Sequence, residues 1–509
     1  MEHLLTNDIL NLLRRIGDPR VDHHVADALP KGAPRKDPGP LEKAREKGLV
    51  GFLEDDWLAI HAKSYGLGGF LSSRGTPPDP DLVKTACDLF ARYGSEIAAA
   101  LLLAALPEAY AAGGGANVLF ERSQLTKEGT PSTNRIKSTA QFVIWIMTPG
   151  TLHPPVSDNM HTYTYQNFDA TTLLWGAPNG QALCASLALR IMHSVIRNTA
   201  PARAGAAPTQ PDGGNMPLNQ EDLLATLLSF SITVFEVLEK FGISWSEEEQ
   251  YAYFYVWDHV GQTLGIGDFP VISTLTQCDS FEDLRLKLRQ YEEKHPADDW
   301  EKSAKGTVAD NSGGRERRAA KPVAAGGIPA EDVDDLLQRP RNRQVLRRIA
   351  DNGTLRPTSV PEARLLLGRL RERMWTLEND RPPKIEPFAY ENFRQVLEDV
   401  SAGRILLRAL VDTVVAQLQP NQQTWPIEVI RQLVPPRVQN RLALGGTGPV
   451  GLLSGLVNTP RDVPGSLVLR RMAAEILRQR ATRVANSLFL DYWDRGLLEI
   501  PGLRSPALG

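Results

Sequence analysis

From about Asp55 to Leu288 the apolar residues of this chain recur at helical spacing, and runs of Val, Ile, Thr and aromatic residues that would build a sheet are nearly absent. A chain with no strands to pair has to bury its apolar stripes helix against helix, so an all-α fold is expected. The stretch "PDLVKTACDLFARYGSEIAAALLLAALPEAYAAGG" keeps the period until it meets Gly113 to Gly115. "NQEDLLATLLSFSITVFEVLEKFG" has Asn219 as its N-cap and ends at Gly242, just after Lys240. "SEEEQYAYFYVWDHVGQTLGIG" opens with a capping box, Ser246 and Glu249, and is apolar nearly all round, which predicts burial on several sides.

The remaining segments set the organisation. Residues 1–54 end in "ALPKGAPRKDPGPLEKAREKG" and read as an N-terminal arm, with 55–294 as the helical core. Residues 295–327 are poor in apolar side chains and read as a flexible linker or surface loop, followed by an Arg- and Leu-rich helical region over 328–509. The 509 residues suffice for a large buried core.

Charge and cysteine usage narrow the function. A net charge of −3 without a clustered basic excess gives no footprint for nucleic acid. The three cysteines, Cys87, Cys184 and Cys278, are far apart and odd in number, so they read as free thiols rather than a disulfide or zinc framework. The N-terminus lacks a signal-peptide layout, which places the chain in the cytoplasm as it stands, or outside the cell if an export signal has been removed. "IAAALLLAAL" is about half the length of a membrane span, so no stable span is expected.

Familiar catalytic motifs fail. "YGLGGF" follows no strand and precedes no G-K-[ST], and neither G-x-S-x-G nor H-E-x-x-H occurs. His23 and His24 read as a solvated pair, and Asp55 and Asp56 as a helix N-terminus. Di-iron bundles need Glu-x-x-His on two helices, which the chain does not offer. What survives is a set of polar residues inside apolar helical sequence. Arg135 and Thr139 lie four apart in "NRIKSTAQFVIWIM", with Lys137 and Ser138 between them. Glu121 lies upstream, His193 sits in "ALRIMHSVIR", and Thr226 in "DLLATLLSF". Each has a structural reading: His193 as a hydrogen-bonded core residue, Arg135 as half of an ion pair, Thr226 bonded to its own helix, Glu121 paired with Arg122. As a set they suit a haem pocket, which takes one imidazole on an apolar wall, cationic or hydroxyl partners for its propionates, and dry aliphatic faces.

In their order and approximate spacing, "ALLLAALPEAYAAGGGANVL", "RIKSTAQFV", "LRIMHSVIR", "NQEDLLATLLSFS" and "YVWDHVGQTLGIG" resemble the latex clearing proteins, bacterial rubber oxygenases related to the oxygenase of mycophenolic acid biosynthesis. The likeness runs from about His61 to Gly267 and more loosely into "SAGRILLRALVDTVVAQLQP" and "PIEVIRQLVPPRVQNRLALG". It implies a globin-like helical core around a non-covalent b-type haem, with extra N- and C-terminal helices. His193 falls on the position of the axial iron ligand, Arg135 and Thr139 on the distal helix, Thr226 on a threonine of the following core helix, and Glu121 nearest to the base that takes an allylic proton. The implied reaction inserts both atoms of dioxygen across a carbon–carbon double bond of a polyisoprene or a smaller apolar isoprenoid, giving aldehyde and ketone ends. Two departures stand out. Rubber-cleaving members can carry a lysine immediately before the distal threonine; here that residue is Ser138, with Lys137 one step, about 100°, away. Residues 148–180 form an extra-long segment with His153, His161 and four aromatic residues, read as a lid, a channel wall or a plain surface loop. Two alternatives stay open: a non-catalytic helical haem-binding protein for sensing or storage, and a haem-free interaction protein.

Overall fold

The computed structural model of the chain describes residues 5–28, 78–111, 131–152, 181–199, 216–294, 328–376, most of 406–439, and 466–494. Among the described residues there is no strand, as the periodicity predicted. In chain order the helices begin with α1 (Asn7–Leu13), α2 (Pro19–Ala28), α3 (Pro80–Ala100), a π-helical turn π1 (Leu101–Ala105), α4 (Leu106–Ala111) and α5 (Pro131–Ile146). Then come α6 (Gln181–Thr199), α7 (Gln220–Leu228), a second π turn π2 (Ser229–Thr233), α8 (Val234–Lys240), α9 (Glu247–Thr263), α10 (Phe269–Thr276) and α11 (Phe281–Lys294). The last are α12 (Ala330–Gln338), α13 (Pro340–Asn352), α14 (Val360–Thr376), α15 (Trp425–Leu433) and α16 (Ser466–Asp494).

Two compact units emerge. The first comprises residues 1–30, 190–224 and 264–366; the second comprises 31–189, 225–263 and 367–509. In the first, α10 packs against α1 and α2, and α13 against α11 and α12. Its core holds Ile9, Leu10 and Leu13 of α1, Val271, Ile272 and Leu275 of α10, and Val345, Leu346 and Ile349 of α13, all essentially inaccessible to water. Each such side chain contributes roughly 1.5–3 kcal/mol by leaving water. Thr6 starts α1 by accepting from the Ile9 N–H at 3.3 Å and ties it to α13 by donating to Asn342 at 2.5 Å.

In the second unit α3 packs against α9 and α16. Asp79 caps α3 by accepting from the Asp81 N–H at 2.9 Å, and Pro80 occupies the first turn, where its missing N–H costs nothing. The capping box of α9 is complete: Glu249 N–H donates to Ser246 Oγ at 3.0 Å, and Ser246 N–H to Glu249 Oε2 at 2.8 Å. Asn219 caps α7 through the Asp222 N–H at 3.0 Å. The helix read as continuous from 219 to 242 is instead broken by π2. Ser229 and Ser231 there donate to the carbonyls of Ala225 (2.9 Å) and Leu227 (3.1 Å), a competition with the backbone ladder that bends helices. α9 is also less enclosed than its composition predicted: Tyr253 and Trp257 are buried, but Tyr251 is 43% exposed.

The stretch Pro80–Ala111 is long and apolar enough, by length and composition alone, to cross a membrane. Half of its most apolar window is buried, and the core helix of a soluble protein meets the same test.

Candidate functional site

α6 is apolar along most of its length, yet two arginines are buried in its second half, Arg190 and Arg197, each 4% exposed. They stand three residues before and four after His193, so the three share one side of the helix. Both are answered from the start of α2: Asp18 immediately precedes it and Asp22 lies in its first turn. Arg190 binds the Asp18 carboxylate through Nε, and through Nη2 at 3.0 Å. Arg197 binds Asp22 through Nε at 2.9 Å and Nη2 at 2.8 Å, and donates from Nη1 to the Leu218 carbonyl at 3.0 Å. Asp22 also accepts from the Asp18 N–H at 2.9 Å, so the two carboxylates form one structure.

Two glycines make room for this arrangement. At Gly265, φ is +73° and a Cβ would come within 2.2 Å of Arg190 Nη2. At Gly17 a Cβ would meet Asp22 Oδ2 at 2.3 Å and Arg197 Cδ at 2.8 Å. Gln220 joins the same segments by donating to the Gly17 carbonyl at 2.6 Å and accepting from the Gly267 N–H at 2.9 Å. Burial pushes the Asp18 carboxyl upward, but the attraction of Arg190 and Arg197 and the Val21 N–H outweigh it and hold it below its ordinary value. Asp268, paired with Arg356 at 3.0 Å, goes the other way, raised because burial wins.

His193 itself is half-buried, between buried Ile191 and Ser194. A half-buried imidazole is the kind of donor a b-type haem takes, and His193 is such a side chain, flanked on its own helix by the two paired arginines. Thr226 is exposed although Leu224, Ala225, Leu227 and Leu228 around it are buried. Arg135, Lys137 and Thr139 all lie within α5, and Thr139 is half-buried. His193 belongs to the first unit, and Arg135, Lys137, Thr139 and Thr226 to the second. Glu121, the loop "YGLGGF", Asp55 and Asp56, residues 153–180 and the linker 295–327 lie outside the described residues. His23 and His24 lie on α2, with His23 exposed. Among the described residues no group of three or more His, Cys, Asp or Glu side chains is placed to hold a metal ion. Cys87 and Cys278 are buried free thiols, and burial pushes Cys87 up to about 12, far from a reactive thiolate.

The second unit holds a buried polar cluster that the sequence did not reveal. Glu108 of α4 receives Arg371 of α14 in a two-pronged pair, Nη2 at 2.9 Å and Nε at 3.1 Å. Arg371 also donates to Thr233 of π2 at 2.8 Å and pairs with Glu236 at 2.8 Å. Lys240 donates to the Leu433 carbonyl at 2.6 Å. Burial raises Glu108 despite Arg371, and burial lowers Lys240. The only prior signal was a charged residue within an apolar period, Glu108 in "LPEAYA" and Arg190 in "LALRIM". A period marks a residue as buried but does not say which distant carboxylate or guanidinium meets it.

A family model described as ER-bound oxygenase mpaB/B′ and rubber oxygenase, catalytic domain, matches residues 94–450. No curated protein matches the chain. A solved structure of latex clearing protein in the closed state aligns with 94% of this chain and 91% of its own, at a TM-score of 0.43 and 14% identity. The family match spans well over half of the 509 residues and includes Glu121, Arg135, Lys137, Thr139, His193 and Thr226. The chain therefore belongs to the mpaB/B′ and rubber oxygenase catalytic-domain family, an oxygenase family, as its helical motifs implied.

Proposed function

We propose that the protein is a haem b-dependent dioxygenase that cleaves a carbon–carbon double bond of polyisoprene or a related apolar isoprenoid, giving aldehyde and ketone ends. The observation that carries this reading is His193, a half-buried imidazole on the apolar α6, in a chain of an oxygenase family. Bound haem would supply the iron that activates dioxygen. His193 would be the side chain that holds its iron, and Thr226 would offer it a hydroxyl partner. Arg135 and Thr139, four apart on α5, would orient the group and shape the substrate side, and Lys137, one step or about 100° from Ser138, is a further catalytic candidate, with the distal position left to Lys137, water or neither. Glu121 takes the allylic proton, which requires its carboxylate to come within hydrogen-bond reach of the substrate carbon's hydrogen.

The test compares the absorption spectrum and haem content of the parent with His193→Ala, followed by products formed from an oligo-isoprenoid under labelled dioxygen. A Soret band lost or shifted in a folded variant, and label in both carbonyl products, is the expected result. A colourless parent, or a variant with the parent's spectrum, removes the haem reading. Ser138 in place of the lysine favours one other reading, a haem protein that senses or stores. Stable dioxygen binding with no olefin consumed would select it.

A further inference from the structure

Apolar attraction is non-directional, so it selects the buried face of a helix more strongly than the exact rotation of one side chain. One residue of slippage turns a helix by about 100°, enough to remove an imidazole from its target. A guanidinium held by a carboxylate is directional. α6 has two such holds, Arg190 to Asp18 and Arg197 to Asp22, about 10 Å apart along the axis and on either side of His193. Both carboxylates come from residues 1–30, upstream of the family-matched segment 94–450. Gly17 and Gly265 leave the space that the clamp occupies.

We propose that Asp18 and Asp22 are positioning residues for His193: by holding Arg190 and Arg197 they set the rotation and depth at which the imidazole meets the haem iron. This rests on the reading of His193 as the axial ligand. A buried ion pair is a weak source of net stability, whereas its geometry specifies one arrangement, which suits this role.

The experiment uses the full chain loaded with haem and compares the parent with Asp18→Asn, Asp22→Asn, Arg15→Ala and His193→Ala. Arg15 pairs with Asp332 of α12 at 2.6 Å in the same unit rather than with either arginine's carboxylate, so its loss reports structural weakening alone. Two quantities are read: the iron–histidine stretching band, and the rate at which haem passes to an apo-globin scavenger. Circular dichroism checks folding. The expected result is a shifted or broadened band and haem loss faster by on the order of 10-fold in both Asp variants, with Arg15→Ala like the parent. If Asp18→Asn does not fold, Asp22→Asn carries the test, since Asp22 is only partly buried. Parent-like behaviour in the Asp variants, or the same change in Arg15→Ala, overturns the clamp while leaving the ligand in place. An unchanged spectrum in His193→Ala overturns the ligand, and the clamp with it.

Discussion

At the scale of single residues, the chain keeps its buried charges by pairing them, and removing one partner is what hurts. Arg371→Ala would leave Glu108, 5% exposed, without its guanidinium, and is expected to cost about 3–5 kcal/mol in chemical denaturation. Glu108→Gln should cost less, because a neutral amide needs no counter-charge. The two buried carboxylates respond to pH with opposite signs. Asp18 holds its proton more weakly folded than unfolded, so its contribution is complete above the ordinary carboxylate range and is lost as the pH falls from that range through its lowered folded value. Glu108 holds its proton more tightly folded, so its contribution is complete in acid and is lost as the pH rises through its raised value. Denaturation midpoints measured between about pH 3 and 7 should therefore show a flatter acid limb in Asp18→Asn than in the parent. An identical slope would mean that Asp18 is not held low by Arg190 and Arg197. None of these pairings was legible in sequence, because Asp18 and Arg190 are 172 positions apart.

At the scale of elements, local signals did well. Asn219 and the Ser246–Glu249 box cap the helices assigned to them, because a cap is made by residues two or three apart and needs nothing distant. Ser246→Ala is expected to cost about 1 kcal/mol, seen as a lower thermal midpoint with unchanged helix content at room temperature. Double replacement of Ser246 and Glu249 should cost little more than the single change if the two act as one box. The π turns were missed, since a pattern of apolar residues cannot distinguish a ladder that widens by one residue. Both lie in the second unit and pack on each other, and π2 delivers Thr233 to Arg371.

At the scale of the whole molecule, the family-matched region is smaller than what the fold uses. Trimming to residues 94–450 would remove Val83, Ala86, Cys87, Leu89 and Phe90 of α3, all buried, and the whole of α16 that packs on α3. It would also remove α1 and α2 with Asp18 and Asp22. Such a fragment is expected to bind a hydrophobic dye strongly and to lack a cooperative thermal transition; a sharp transition at the parent's temperature would contradict the account. The helical class, the caps and the polar residues worth watching were determined by the sequence alone, because helical periodicity and capping are short-range properties of the backbone. Which carboxylate answers which arginine, where a helix widens into a π turn, and that the start of α2 pairs with the arginines flanking His193 were decided only by the tertiary structure. Those depend on charges far apart in the chain that become partners once apolar packing has brought them together and excluded water.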